Sequence, residues 1–322
     1  MQRLHVKNIV WILAAIAGFI LLNTLVDMGV INKFYQITLV RIMINIIFAV
    51  GLNLVLGVAG QFSLGHAGFI AIGGYAGAIF SKAYENSLQG MFIGMAVGVV
   101  ISILLALIVG IPTLRLKGDY LAIATLGVAE IVRVFINNMK EITNGAAGIS
   151  GIPIVSTWQM IYVFLVITTI FVLNYVYSSA GRATMAIQQD EIAAEAMGVN
   201  VTKYKVIAFV IGAITASIAG TLNANYIGIV TPGDYTFNKS IDVLIIVVFG
   251  GIGSFTGSFV AAILLGLLNV VLQDYGQLRM IIYGVAVILI MIFRPGGLLG
   301  TSELRLGSLV SKWVKGKKEV VR

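Results

Sequence analysis

Cysteine is absent from the 322 residues, histidine occurs twice, and acidic residues number only 13. Without thiols there is no disulfide framework and no thiol chemistry. So few imidazoles and carboxylates leave little material for a metal site. Charge of either sign is scarce: Asp, Glu, Lys and Arg make up 11% of the chain, where a soluble domain holds about a quarter. What replaces it is apolar, with 59% hydrophobic residues and a mean hydropathy of +1.02. No water-soluble core buries that much apolar surface, so lipid must be the solvent for much of the chain. A soluble enzyme is thereby excluded. The 37 glycines do not signal disorder, because glycine is common in membrane helices, where it lets backbones approach closely.

A spanning helix needs about 20 mostly apolar residues. The charge-free stretches predict ten, at 9–28, 36–56, 66–83, 91–112, 120–137, 158–177, 206–227, 236–250, 257–273 and 279–293. Met1 to Leu22 has the basic start and apolar run of a signal peptide. No small-x-small pattern ends it, so it reads as an uncleaved first span. Orientation follows from Lys and Arg in the loops. With the N-terminus inside, cytoplasmic segments hold Arg3, Lys7, Arg115, Lys117, Arg182, Lys203, Lys205, Arg294, Arg305, Lys312, Lys315, Lys317, Lys318 and Arg322. Outer loops hold only Lys33, Lys82, Lys140, Lys239 and Arg279, and Arg41 and Arg133 sit near outer helix ends. Both termini then face the cytoplasm. The eighth span is the weak one, its apolar stretch running only from Ile241 to Phe249. Were it merely to dip in and return, the basic tail would end outside, so a short or broken true span is expected.

Two glycine-rich segments, Gly57 to Gly68 and Gly250 to Gly257, fall between apolar helices near the cytoplasmic end. They read either as hairpin turns with close packing or as the lining of a path. In the second case Asn53, Gln61, Ser63 and His66 supply polar contacts at depth. Both segments fall on the same side of the membrane, so they do not make an inverted repeat.

The longest cytoplasmic connection is Ser178 to Lys205. Asp190 can cap a short helix whose positive end Glu191 favours, and Gly198 with Asn200 can stop it. The helix of about eight residues is about 12 Å long. Ile192, Ala193, Ala196 and Met197 form an apolar stripe, with Glu191 and Glu195 on a neighbouring face. Such a helix fits a partner's groove, or alternatively lies on lipid.

The run Gly181-Arg182-Ala183-Thr184-Met185-Ala186-Ile187-Gln188-Gln189-Asp190-Glu191-Ile192-Ala193-Ala194-Glu195-Ala196-Met197-Gly198 resembles the coupling loop of branched-chain amino acid ABC permeases. The segments Gly60 to Phe69, Leu116 to Gly127, Gly148 to Pro153, Gly250 to Ser254 and Phe293 to Leu299 match in the same order, over about residues 45 to 300. The resemblance is to the M-type subunit. It implies an all-α ABC importer permease fold, with a single transmembrane domain over 1–300 that includes the coupling loop 178–205, and a basic tail at 301–322. It implies a homologous second permease, two cytoplasmic ATPases docked on the coupling helices, and an extracytoplasmic binding protein delivering leucine, isoleucine or valine. ATPase coupling falls by the same resemblance on Glu191, Glu195 and Gly198, with Asp190 and Ala194 of the same segment as further candidates. The chain carries no Gly-x-x-x-x-Gly-Lys-Ser/Thr loop. ATP and magnesium therefore belong to the partner ATPases, and this chain has no catalytic residues, metal or cofactor of its own. A prokaryotic inner or plasma membrane is the implied location. Relatives in the wider family are similar to importers of urea, short amides or other amino acids.

Other polar residues are weighed singly. Glu130 and Arg133 share a helix face and read as an internal ion pair, or alternatively as part of an outer gate. Asn45, Asn53, Asn223 and Asn225 read as links between helices, Asn53 alternatively as a substrate contact. Asp119 reads as a helix cap. The loop Asn138 to Thr157 fits either a binding-protein contact or a flexible connector. The tail, with Trp313 among lysines, suits anionic lipid rather than nucleic acid. An ion-coupled secondary transporter would want an unpaired acid at mid-membrane. None is placed there, since Asp242 reads as lying near a span end. A membrane-embedded enzyme would want a convergent catalytic set, which a lone His66 does not supply.

A reporter fused after Arg322 is expected to read cytoplasmic; an external signal would overturn the span count.

Overall fold

The computed structural model describes the backbone of residues 2–84, 87–116 and 118–272, with short stretches between 275 and 300, and side chains from residue 13 onward. Most of the expected span 279–293 and all of the tail 301–322 lie outside the described residues. Twelve α-helices are described: α1 (Gln2–Asp27), α2 (Lys33–Asn53), α3 (His66–Ala83), α4 (Ser87–Thr113), α5 (Asp119–Asn138), α6 (Lys140–Thr143), α7 (Trp158–Tyr177), α8 (Ser179–Gln189), α9 (Glu191–Ala196), α10 (Val201–Ile227), α11 (Phe237–Gly250) and α12 (Phe255–Val271). The expected spans 66–83 and 158–177 coincide with α3 and α7, and most of the others differ from their helices by a few residues.

Helix starts follow local chemistry. Asn32, Thr157 and Asn200 cap α2, α7 and α10, each side chain accepting a first-turn amide that has no partner inside its helix. Gly228, at φ +83°, closes α10 in the left-handed conformation. Asp119 is not the cap of α5: Gly118 holds that position with φ +58°, and Asp119 is the first helical residue. Its charge there complements the positive helix end.

Three helices make the centre. Along α3 and α10 the contacts advance in step, with Gly73 against Ser217, Gly77 against Thr221 and Ser81 against Asn225. The two helices therefore run parallel. A Cβ on Gly73 would lie 1.9 Å from the Ser217 carbonyl oxygen, and one on Gly220 2.2 Å from that of Ile70. Backbones this close admit no side chain. Helix α4 returns antiparallel, its Gly90, Gly94 and Gly98 at four-residue spacing facing Phe80, Ala76 and Gly73. Helix α2 crosses α10 at Gly51 and Gly212. The asparagines act here as links: Ser81 Oγ donates to Asn225 Oδ1 at 2.6 Å in the buried interface.

Among the described residues, α2 with its extension to Val58, α4, α7 and α10 are each long and apolar enough to cross a membrane, and α11 with α12 pass as a pair bent by 118°. Helices α3 and α5 are not in that set, for two different reasons. Helix α3 is covered nearly all round by protein and uses glycine where a lipid-facing helix would use leucine. Helix α5 carries Asp119, Glu130 and Arg133. The faces of α4 and α7 that the chain leaves uncovered are apolar, through residues such as Val100, Leu104, Ile108, Ile167 and Phe171.

The loop Asn138 to Thr157 is ordered rather than a loose connector. It forms α6, a turn of 3-10 helix, and a two-residue strand β1 (Ile149–Ser150) pairing antiparallel with β2 (Ile229–Val230). Lys82 Nζ donates to the Ser150 carbonyl at 2.9 Å, tying α3 to this cap. From β2 the chain descends beside α3, where Tyr235 is buried against Gly74. Helix α11 starts only then, so this span is helical over part of its crossing and irregular over the rest. Irregular backbone at depth is tolerated because it is buried in protein.

Gly73→Leu is expected to lower the yield of folded protein sharply, since overpacking costs about 1–3 kcal/mol even where side chains can yield and here the obstacle is backbone. Normal yield in detergent extraction would overturn this reading of the α3–α10 crossing.

Candidate functional site

The last turn of α2 widens into a π turn over Leu54–Val58, and Gln61 N–H donates back to the Val55 carbonyl. The chain then doubles back along α2. When α3 begins, His66 hydrogen-bonds the backbone of Phe48, ten residues before Val58. At 1.5 Å per residue that is about 15 Å back along the helix. The first turn of α3 is therefore deep in the molecule, and its amides are met there: Ala67 N–H donates to Ser240 Oγ at 3.1 Å, and Leu64 N–H to Thr125 Oγ1 at 3.0 Å.

The residues singled out for a path separate in this setting. Asn53 is fully buried and all of its polar atoms are used. Its Nδ2 donates to the Ser254 carbonyl at 2.9 Å and to Ser258 Oγ at 3.1 Å, while its Oδ1 accepts from Gly253 N–H at 2.8 Å. It thus joins the two glycine-rich segments, which meet where a Cβ on Gly57 would come within 2.3 Å of Gly253 N. Gln61, also buried, donates from Nε2 to the Lys205 carbonyl at 3.0 Å, and among the described residues its Oε1 has no partner. Ser63 Oγ accepts from Gly65 N–H within its own turn. Nε2 of the buried His66 has no partner among the described residues.

Beside this turn stands the loop 178–205. It holds two helices, not one. The segment before Asp190 forms α8, and α9 is shorter than expected at six residues. Asp190 caps α9, Oδ1 accepting from Ile192 and Ala193 N–H at 3.0 Å each, and Gly198 ends the segment at φ +83°. Ala194 is buried against the chain, whereas the apolar stripe points outward, with Ile192 76% and Met197 84% exposed. Glu195 is exposed, and Glu191 pairs with Lys205 at 2.9 Å. Gln188 of α8 rests against Gly60. Contacts therefore run without a gap from Glu191 through Lys205 and Gln61 to the glycine turn, and from there through Asn53 to α12.

Glu130 and Arg133 form a bidentate pair, but not inside the chain as expected. They lie on a face of α5 that none of the described residues covers, beside an open apolar groove of about 550 Å³ lined by Gly127, Ile131, Val134, Phe135 and Asn138. Sequence reading also misplaced a second charged group. Lys239, counted in an outer loop, lies in the first turn of α11 with Nζ 5.2 Å from the centre of the Phe48 ring. Asp242 lies one turn further on the same helix, at depth rather than at a span end. The expected span 236–250 already begins within a residue of α11, but apolar length alone does not say how deep in the bundle that start lies.

The model of the family "Branched-chain amino acid transport system / permease component" matches residues 34–293. The chain is similar to the "High-affinity branched-chain amino acid transport system permease protein LivM" of Salmonella typhimurium, 36% identical over 309 residues, 85% of this chain and 72% of that one. The Escherichia coli LivM is 36% identical over 298 residues, 82% of this chain and 69% of its own length. A more distant likeness, 29% over 149 residues, joins 46% of this chain to 47% of the permease protein LivH of Escherichia coli. No solved structure matches the chain. This mostly helical membrane protein with apolar outer faces, matched from its second helix onward, belongs to the branched-chain amino acid transport system permease component family.

Proposed function

We propose that this chain is the M-type permease of an ATP-driven importer of leucine, isoleucine and valine. It shares a translocation path with a homologous permease, and it takes its drive from ATPases docked on α9. The observation that carries the reading is the outward apolar stripe of α9 joined by direct contacts to the glycine turn at depth. Exposed side chains such as Ile192 and Met197 on a short polar loop suit the groove of a protein partner. A movement imposed on α9 would pass to α8, against which it packs, and through Glu191 to Lys205 and Gln61. The likeness to proteins named LivM supports the substrate class, and the partial likeness to a protein named LivH supports a homologous partner. ATP and magnesium would be held by the ATPases, since no phosphate-binding loop occurs here.

Partner and lipid faces separate by charge. Charged side chains in membrane helices face protein or water, not hydrocarbon. The uncovered charges Glu130, Arg133 and Asp242 lie on α5 and α11, two helices in contact. The exposed faces of α4 and α7 are apolar. The second permease would therefore sit against α5 and α11, with lipid against α4 and α7. The α8–α9 end would face the cytoplasm, as the basic residues of its loops suggest, and the cap built on β1 and β2 would face the binding protein.

Two substitutions test the docking. Ile192→Asp leaves the Glu191–Lys205 pair untouched and is expected to lose the ATPase from a pull-down of tagged chain while the second permease is retained. Glu191→Lys is expected to abolish ATP-dependent leucine uptake in proteoliposomes with the protein still in the membrane. Full ATPase recovery with Ile192→Asp, or unchanged uptake with Glu191→Lys, would overturn the docking site. Uptake of urea or a short amide in place of leucine would move the substrate to another branch of the family.

A further inference from the structure

Helices α2, α11 and α12 enclose a cleft of about 440 Å³. The bend of 118° between α11 and α12 opens it, and α2 forms its floor. Lys239 and Asp242 project into it from α11, three residues apart and so on one helix face. Asn45 faces them from α2 and Asn269 from α12, and Ile245 and Leu265 supply an apolar wall. The cation and the acid are close, yet among the described residues neither has an ion-pair partner within 4.0 Å, and Lys239 is held instead over the Phe48 ring. The cleft is at depth: Phe48 lies 15 residues into α2, about 22 Å from its start. The two charges act on each other without touching, and Lys239 also feels Asp234 and Arg41; out of direct contact, both keep hydrogen-bonding capacity for a guest that carries both signs.

We infer that this cleft is a transit site for the zwitterion of an α-amino acid, formed by residues of this chain: Lys239 and Asn45 take the carboxylate, Asp242 takes the ammonium, and the aliphatic side chain lies on Ile245 and Leu265. The inference rests on the importer reading and adds to it where this chain touches the substrate. The volume falls in the range of small-molecule pockets, about 300–1,000 Å³. The polar groups match the two charges that every α-amino acid carries, whichever side chain follows. Such a site would select for the zwitterion rather than for leucine over valine. A path needs no more, since a site that holds its cargo too selectively releases it slowly.

The chain has no cysteine of its own, which allows a clean test in the assembled transporter. Wild-type complex in proteoliposomes is first assayed for ATP-dependent uptake of labelled leucine; none at all would overturn the importer reading itself, before the cleft is addressed. With uptake established, Lys239→Met and Asp242→Asn are each expected to lower it by about tenfold or more, the loss that follows when one partner of a charge-assisted hydrogen bond is removed. ATPase and second permease should be recovered as in wild type, and Asp242→Glu should retain part of the uptake. In parallel, Ile245→Cys should react with a hydrophilic thiol reagent, more slowly when ATP, binding protein and leucine are present. Unchanged uptake in either charge variant would overturn the inference. So would loss of the second permease from the complex, which would make Lys239 and Asp242 a contact between permeases. Should the charge variants fail to fold or to reach the membrane at all, Ile245→Cys decides alone: protection by leucine supports the site, and labelling indifferent to leucine, or none, overturns it.

Discussion

The near-contact of two backbones, α3 against α10, is the constraint from which the remaining packing follows. With Gly73 pressed on the Ser217 carbonyl and Gly220 on that of Ile70, the axes are set closer than side chains would allow. Lipid supplies no hydrophobic drive between helices, so association rests on close van der Waals contact and on hydrogen bonds such as Ser81 to Asn225. Once α3 is held there, α4 must fold back along its glycine ridge and α2 must cross α10 at Gly51. Little of α3 remains open, which is why this helix lacks the hydropathy of a span and still lies inside the bundle.

The same placement creates the irregular depth of the structure. Because α3 begins beside Phe48 and not at the end of α2, the chain between them must re-enter the bundle without helical hydrogen bonds. Ser240, Thr125 and the Lys205 carbonyl supply partners for its polar groups. Those partners come from α11, α5 and α10, so the re-entrant segment meets the elements that carry the exposed charges and the loop 178–205. A movement of any of them changes the hydrogen bonding of a buried segment, where an unmet polar group is expensive. The Glu191–Lys205 pair alone is partly exposed and worth little, at most about 1 kcal/mol. Its weight in the reading comes from what Lys205 also touches.

Charge sorts the outer surface into two kinds. Apolar side chains cover α4 and α7, while Glu130, Arg133, Lys239 and Asp242 gather on α5 and α11. The Glu130–Arg133 pair is satisfied within the chain, whereas Lys239 and Asp242 are spaced apart. The difference distinguishes a surface that needs only covering from a cleft able to take a charged guest. Placing Asp242 at depth also removes the ground on which an ion-coupled transporter was set aside, namely the lack of such an acid. The family match over residues 34–293 now carries that exclusion.

Composition and the spacing of charge-free stretches were sufficient for the all-helical membrane class, for helix positions such as 66–83 and 158–177, and for the cap at Asp190, because these depend on apolar length and local hydrogen bonding. The run from Gly181 to Gly198 identified the family, because its residue order is specific. Tertiary structure alone decided the rest. It brought Asn53 to Gly253 and Gln61 to Lys205 across 200 and 144 residues of sequence. It turned the stripe of α9 outward and the Glu130–Arg133 pair away from the chain's interior. It also moved Lys239 and Asp242 from an assumed helix end to a cleft at depth. Hydropathy averages over a window and registers how apolar a segment is, but not how far along its crossing the helix begins; that is set by which buried polar groups its neighbours can satisfy.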